Sequence, residues 1–164
     1  MGSSRSSVPP EAVRCHLPDT RDSITHHFTI ESIDYDQGGT AVAGPVFDGY
    51  ITVGHYDNGQ PAEIFITMTS CINGNNEESP SNLQMFSLLR GVMDTLAISI
   101  SISLQYGVPI SEFTDKFVDT VFSPEGPTKN REIPYAKSLA DYIFRWLAIK
   151  YCGAEPHPAS KMML

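Results

Sequence analysis

The chain has 164 residues, 41% of them hydrophobic, which suits one domain with a buried core and leaves little room for a second. Its formal net charge of −8 repels phosphates over most of the surface, so non-specific binding of nucleic acid is not expected. Three cysteines, Cys15, Cys71 and Cys152, form no CxxC pair, which argues against a zinc knuckle or a dithiol site and for reduced thiols in a cytoplasmic protein.

The first residues, MGSSRSSVPPE, are Ser- and Pro-rich and lack the apolar stretch of a signal peptide. Residues 1–16 are expected to be a flexible tail, 17–153 one domain, and 154–164 a second tail. SITHHFTI (Ser23–Ile30) alternates, with Ile24, His26, Phe28 and Ile30 on one face, and predicts a half-buried strand. Residues 31–49 read as a loop or irregular hairpin with a short strand at Thr40–Ala43. YITVGHY (Tyr50–Tyr56) and AEIFITMTS (Ala62–Ser70) are strands joined by DNGQP, a hairpin turn.

After the polar loop Cys71–Asn82, a long apolar run from Leu83 to Tyr106 predicts a helix, with Ser79, Ser81 and Asn82 as N-cap oxygens and Gly107-Val108-Pro109 as its stop. Its alternating serines favour close packing, so this helix is expected at the centre. A short helix follows over Ser111–Val118, capped by Ser111, and then a loop over Thr120–Pro134. The last helix is predicted from Pro134 to Cys152, closed by Gly153. Leu139, Tyr142, Ile143, Trp146 and Leu147 form its apolar stripe, with Asp141, Arg145 and Lys150 off it. The fold class is α+β: an antiparallel meander sheet packed against two long C-terminal helices. No run of about 18 apolar residues is free of charge, so no membrane span is expected.

Candidate binding residues follow from residue type and placement. The long helix's N-terminus, with Asn82 beside it and Arg90 further along, suits a phosphate. Lys129 and Arg131 lie in a loop that leads into the last helix and offer a second anion site. The plainer readings are capping, a surface arginine and a solvated loop. His26 and His27 are adjacent on a strand and point to opposite faces, so they cannot share a metal; His26 is read as a hydrogen-bonded core or subunit-contact residue. Asp94 and Asp141 stand four residues from Arg90 and Arg145, as surface helix pairs would. No metal and no catalytic residue are assigned.

Four blocks carry a family resemblance: LPDTRDSITHHFTI, DGYITVGHYDNGQPAEIFITM, GVMDTLAISISISLQYGVPISEFTDKF and REIPYAKSLADYIFRWL. In this order they resemble the C-terminal, TSCPD-type domain of cobalamin-dependent (class II) ribonucleotide reductases, a domain that also occurs as a free-standing short protein. The resemblance implies an accessory or regulatory domain in deoxyribonucleotide synthesis, non-catalytic alone, with no cofactor of its own and a reductase catalytic subunit as partner. The segments Glu31–Phe47 and Thr69–Leu88 and the residue Arg90 depart from the family pattern. Short phage proteins with this domain resemble sponges for cyclic or ADP-ribose-derived nucleotides, and that alternative implies a homo-oligomer. There Arg90, Lys129 and Arg131 would hold phosphates, and Tyr106 or Tyr135 would stack on a base.

Overall fold

A computed structural model describes residues 11–72 and 80–156. Three strands, β1 (Ser23–Tyr35), β2 (Ala41–His55) and β3 (Pro61–Ile72), form an antiparallel meander in the order β1-β2-β3. Helices α1 (Pro80–Gln105) and α2 (Ile110–Phe117) follow. A two-residue pair, β4 (Gly126–Pro127) and β5 (Tyr135–Ala136), precedes α3 (Leu139–Tyr151).

Both hairpins use the same turn chemistry. In the first, the Asp36 carboxylate accepts the amides of Gly38 and Thr40, and Gly39 takes a positive φ of 76°. In the second, Asn58 accepts the amide of Gln60 and Gly59 sits at 81°. Each glycine adopts a conformation that costs other residues free energy. The predicted DNGQP hairpin is therefore present. Of the two readings of residues 31–49, the irregular hairpin is the one present: strand is ordered on both sides of Asp36–Thr40, longer than the short strand expected, and β1 carries a register shift between Glu31 and Ile33.

The register places Phe28 opposite Gly49, Ile30 opposite Phe47 and Ile51 opposite Ile66. With Val53, Ile64 and Met68 these residues make the apolar face of the sheet, and all are buried. Helix α3 fills that face, with Leu139, Tyr142, Ile143 and Leu147 essentially inaccessible. The aromatic run of this helix is core: Phe28 meets Tyr142, and Phe144 meets Phe117 of α2 at 4.7 Å between ring centroids.

Four expectations need correction. The last helix starts at Leu139, because Tyr135–Ala136 pairs with Gly126–Pro127 and Ser138 is the cap that accepts the Asp141 amide. It spans 13 residues, so only α1, with 26, is long. Asp141 and Arg145 are not on a solvated face: every residue from Leu139 to Ala148 is buried, since α2 and the segment leading to Ser138 cover the side away from the sheet. The short helix begins at Ile110 behind Pro109, with no side-chain cap from Ser111.

The fourth correction concerns α1, which is peripheral. Met93, Ala97, Ile100 and Leu104 face the core, and the opposite side is open. The helix lies along β3, where Ser101 Oγ accepts the Ile64 amide at 2.8 Å and Gln105 Nε2 donates to the Ala62 carbonyl at 3.2 Å. Serines 99, 101 and 103 also donate back to carbonyls one turn earlier in their own helix. By length and composition alone Leu83–Gln105 could cross a membrane, with a mean hydropathy of 1.4, although it carries Arg90 and Asp94 and is therefore not a charge-free run. Its C-terminus ends as predicted: Val108 N–H bonds Ser103 O, Gly107 N–H bonds Leu104 O, and Gly107 has φ 87°.

The chain before β1 is tied down at several points, among them Arg14 Nε on Gln105 Oε1 and the Asp22 carbonyl, which accepts the His55 amide. Cys15 N–H donates to the Gln105 carbonyl, and its own carbonyl accepts from Tyr56 Oη.

Candidate functional site

The loop bearing Lys129 and Arg131 is closed on itself. Thr128 N–H donates to Pro134 O, Ile133 N–H to Asn130 O, and Asn130 Oδ1 accepts the Glu132 amide. Thr128 Oγ1 also bonds the Ile133 carbonyl. Asn130 Nδ2 then reaches inward to Tyr142 Oη at 3.1 Å, and that hydroxyl lies 2.8 Å from His26 Nε2. A tyrosine hydroxyl has one proton. It also has two lone pairs, so it bonds both Asn130 and His26, and the direction of the His26 bond follows the imidazole tautomer.

Burial lowers the His26 pKa, the neighbouring His27 adds to this, and Glu132 opposes it. Burial also raises that of Tyr142. The His26 ring stacks on Trp146 at 4.7 Å. A chain of hydrogen bonds thus ties β1, α3 and the loop together, and Lys129 and Arg131 stand exposed at its outer end. The histidine expected in the core is half-buried and bonded, in line with its sequence reading.

The other sequence candidates lie elsewhere. Arg90 is exposed on α1, beside β3, whereas Thr128 bridges to Ile30 on β1 at the opposite edge of the sheet. A single chain therefore does not gather Arg90 with Lys129 and Arg131. The Asn82 side chain lies outside the described residues, as does Ser79. Tyr106 is 45% exposed at the end of α1. Tyr135 is half-buried in the β4–β5 pair, with its pKa raised by burial. Tyr151 bonds His55 Nε2 through its hydroxyl at 2.7 Å, and burial pushes its pKa up to about 12.

One cluster was missed in the sequence. On the open face of the sheet, the Asp48 carboxylate accepts from His27 Nε2 at 2.8 Å, Thr29 Oγ1 at 3.0 Å and Thr69 Oγ1 at 2.8 Å. Burial would raise its pKa, but the three hydrogen bonds outweigh burial and lower it. Thr25 and Thr52 bond each other beside it, and Tyr50 leans on His27. The available signal was the run Thr25, His27, Thr29 on one strand face. Its partners come from two other strands, so the cluster itself needed the register.

Cys15 and Cys152 are exposed and Cys71 is half-buried, all as free thiols. Burial, followed by Asp34, pushes the Cys71 thiol above its ordinary range and away from nucleophilic use. Among the described residues no three His, Cys, Asp or Glu side chains gather as a metal site would require.

Comparison with known proteins fits this picture. The family profile described as the TSCPD domain matches residues 18–151. The vitamin B12-dependent ribonucleotide reductase of Rhodopirellula baltica is 38% identical over 147 residues, which is 90% of this chain and 11% of that protein. The reductase of the same name from Streptomyces avermitilis is 33% identical over 147 residues, 90% of this chain and 12% of the relative. That from Bradyrhizobium diazoefficiens is 41% identical over 103 residues, 62% of this chain and 7% of the relative. The chain thus spans about a tenth of the length of these relatives. No solved structure matches.

Proposed function

The chain belongs to the TSCPD domain family, as the C-terminal-type domain found in cobalamin-dependent ribonucleotide reductases, and from that premise we propose that it is an accessory domain of such a reductase system, non-catalytic alone. It would support deoxyribonucleotide synthesis by docking on, or regulating, a catalytic subunit. The observation that carries this reading is the match of nearly the whole chain to one small segment of much longer reductases. The structure supports it with a surface fit for contact: an open threonine-rich sheet face with a fixed carboxylate.

In this reading cobalamin belongs to the catalytic subunit.

The test mixes the purified chain with a cobalamin-dependent reductase lacking its own TSCPD segment. Native mass spectrometry should find a complex, and reduction of a ribonucleotide by that complex should exceed reduction by the truncated enzyme. The chain alone should give none. Absence of any complex, or turnover by the isolated chain, would refute the reading.

A further inference from the structure

We propose that the outward side of α1 is a pairing surface for a second copy of this chain, with the two helices packed against each other at Gly91.

The first observation is the glycine itself. Gly91 lies in the middle of a 26-residue helix, where glycine is unfavourable relative to alanine. Its backbone is absent from the positive-φ positions, and a Cβ built on it meets nothing within 4 Å. Neither conformation nor packing within the chain calls for a glycine. A body that approaches the backbone from outside does.

The second observation is the surface around it. Ser87, Leu88, Gly91, Val92, Thr95 and Ser99 line one shallow groove along the helix. Small residues recur every four positions, and the Leu88–Val92 ridge runs beside them. The helix therefore carries both a ridge and the groove to receive it. Two copies related by a two-fold axis can each place Val92 against the other's Gly91, as an isologous contact requires. No charge lies along this groove, although the molecule has a formal charge of −8. Two acidic copies can meet along it without placing a charge in the groove itself.

The third observation is area. Met85 is 47% exposed, Leu88 68%, Val92 51%, Ile98 60% and Ile102 38%, with Tyr106 at 45% beyond them. Together these leave on the order of 500 Å² of apolar surface, at the upper end of what a monomer usually leaves open. A stable interface takes about 800 Å² from each partner, roughly two-thirds of it apolar in homodimers, so the exposed amount matches what one such interface consumes.

The inference does not rest on the reductase reading, and its test needs no reductase. Analytical ultracentrifugation of the full chain, from about 1 to about 100 µM, should give a monomer–dimer equilibrium with dimer dominant at the upper end. Val92→Asp places two carboxylates face to face in an apolar contact and should weaken dimerisation by about 100-fold or more. Gly91→Trp, where the chain leaves open space, should leave only monomer. Tyr35→Asp, at the far edge of the sheet, should leave the dimer unchanged. Circular dichroism and Trp146 fluorescence report whether each variant is folded. A parent that stays monomeric across the range overturns the proposal. So does a dimer that survives Gly91→Trp, or a monomer whose α1 face binds only lipid vesicles or only a reductase body.

Discussion

Replacing Asp141 with alanine should destabilise the domain by about 3–5 kcal/mol. The carboxylate is 0% exposed, and it accepts from Asp119 N–H at 2.7 Å, Lys137 N–H at 2.9 Å and Arg145 Nη2 at 2.7 Å. Alanine removes the acceptor and strands two backbone donors. It also leaves the Arg145 guanidinium, whose side chain is 11% exposed, with Asp119 as its remaining acidic partner. Each lost bond to a charged group costs about 1.5–3 kcal/mol, and the three share one carboxylate, so their sum is an upper bound. Asp141→Asn keeps the shape but turns an NH2 towards a donor, and it should cost less than alanine while remaining destabilising. Arg145→Met should also cost less than Asp141→Ala, because Arg145 Nε is already buried without a partner. Urea unfolding followed by tryptophan fluorescence reads all three, since Trp146 is the sole tryptophan, is 6% exposed and stacks on His26. A loss below about 1 kcal/mol for Asp141→Ala would show that this carboxylate is not the buried tie the geometry implies.

Three further outcomes are expected. The depressed His26 pKa favours neutral imidazole in the folded state, so its contribution is fully present above the unfolded value of 6.5 and is lost as pH falls through the lower folded value. Urea midpoints should fall from pH 7.5 to pH 5, and His26→Phe should flatten the histidine part of that slope. Ser101→Ala leaves the Ile64 amide without its acceptor and should cost about 1–3 kcal/mol, with faster hydrogen exchange at Ile64. Gly91→Ala should stabilise the folded chain by about 0.5–1 kcal/mol through helix propensity, as measured by thermal or urea unfolding. Measured at a concentration where the chain is monomeric, unchanged or lower stability would mean that Gly91 has an intrachain role.

What the sequence disclosed was local. Period-two alternation marked β1, and the residues DNGQP marked the second hairpin, because the turn is made by its own side chains. Gly107-Val108-Pro109 marked the end of α1 for the same reason. The start of α3 was obscured by Pro134, which suits a first helical turn equally well. The deciding contact, Ser138 with the Asp141 amide, competes with it only once β5 has formed. Asp141 and Arg145 looked solvated because one stripe of α3 is aromatic, and no periodicity reports that α2 and the preceding segment cover the other side. The serines of α1 suggested a central helix, whereas Ser101 serves a strand backbone instead. Lys129 and Arg131 were found as exposed charges; the Asn130–Tyr142–His26 chain beneath them joins residues more than a hundred positions apart and has no sequence signature.

Among the described residues, part of each outer border of the meander is occupied. Glu125 and Thr128 occupy the margin of β1, through Ile33 N–H and the bridge to Ile30, and the side chains of Ser101 and Gln105 occupy the margin of β3. An intruding strand from another polypeptide would have to evict one of these before it could zip on. At those positions recognition is left to side chains, because the backbone groups a strand would use are already taken.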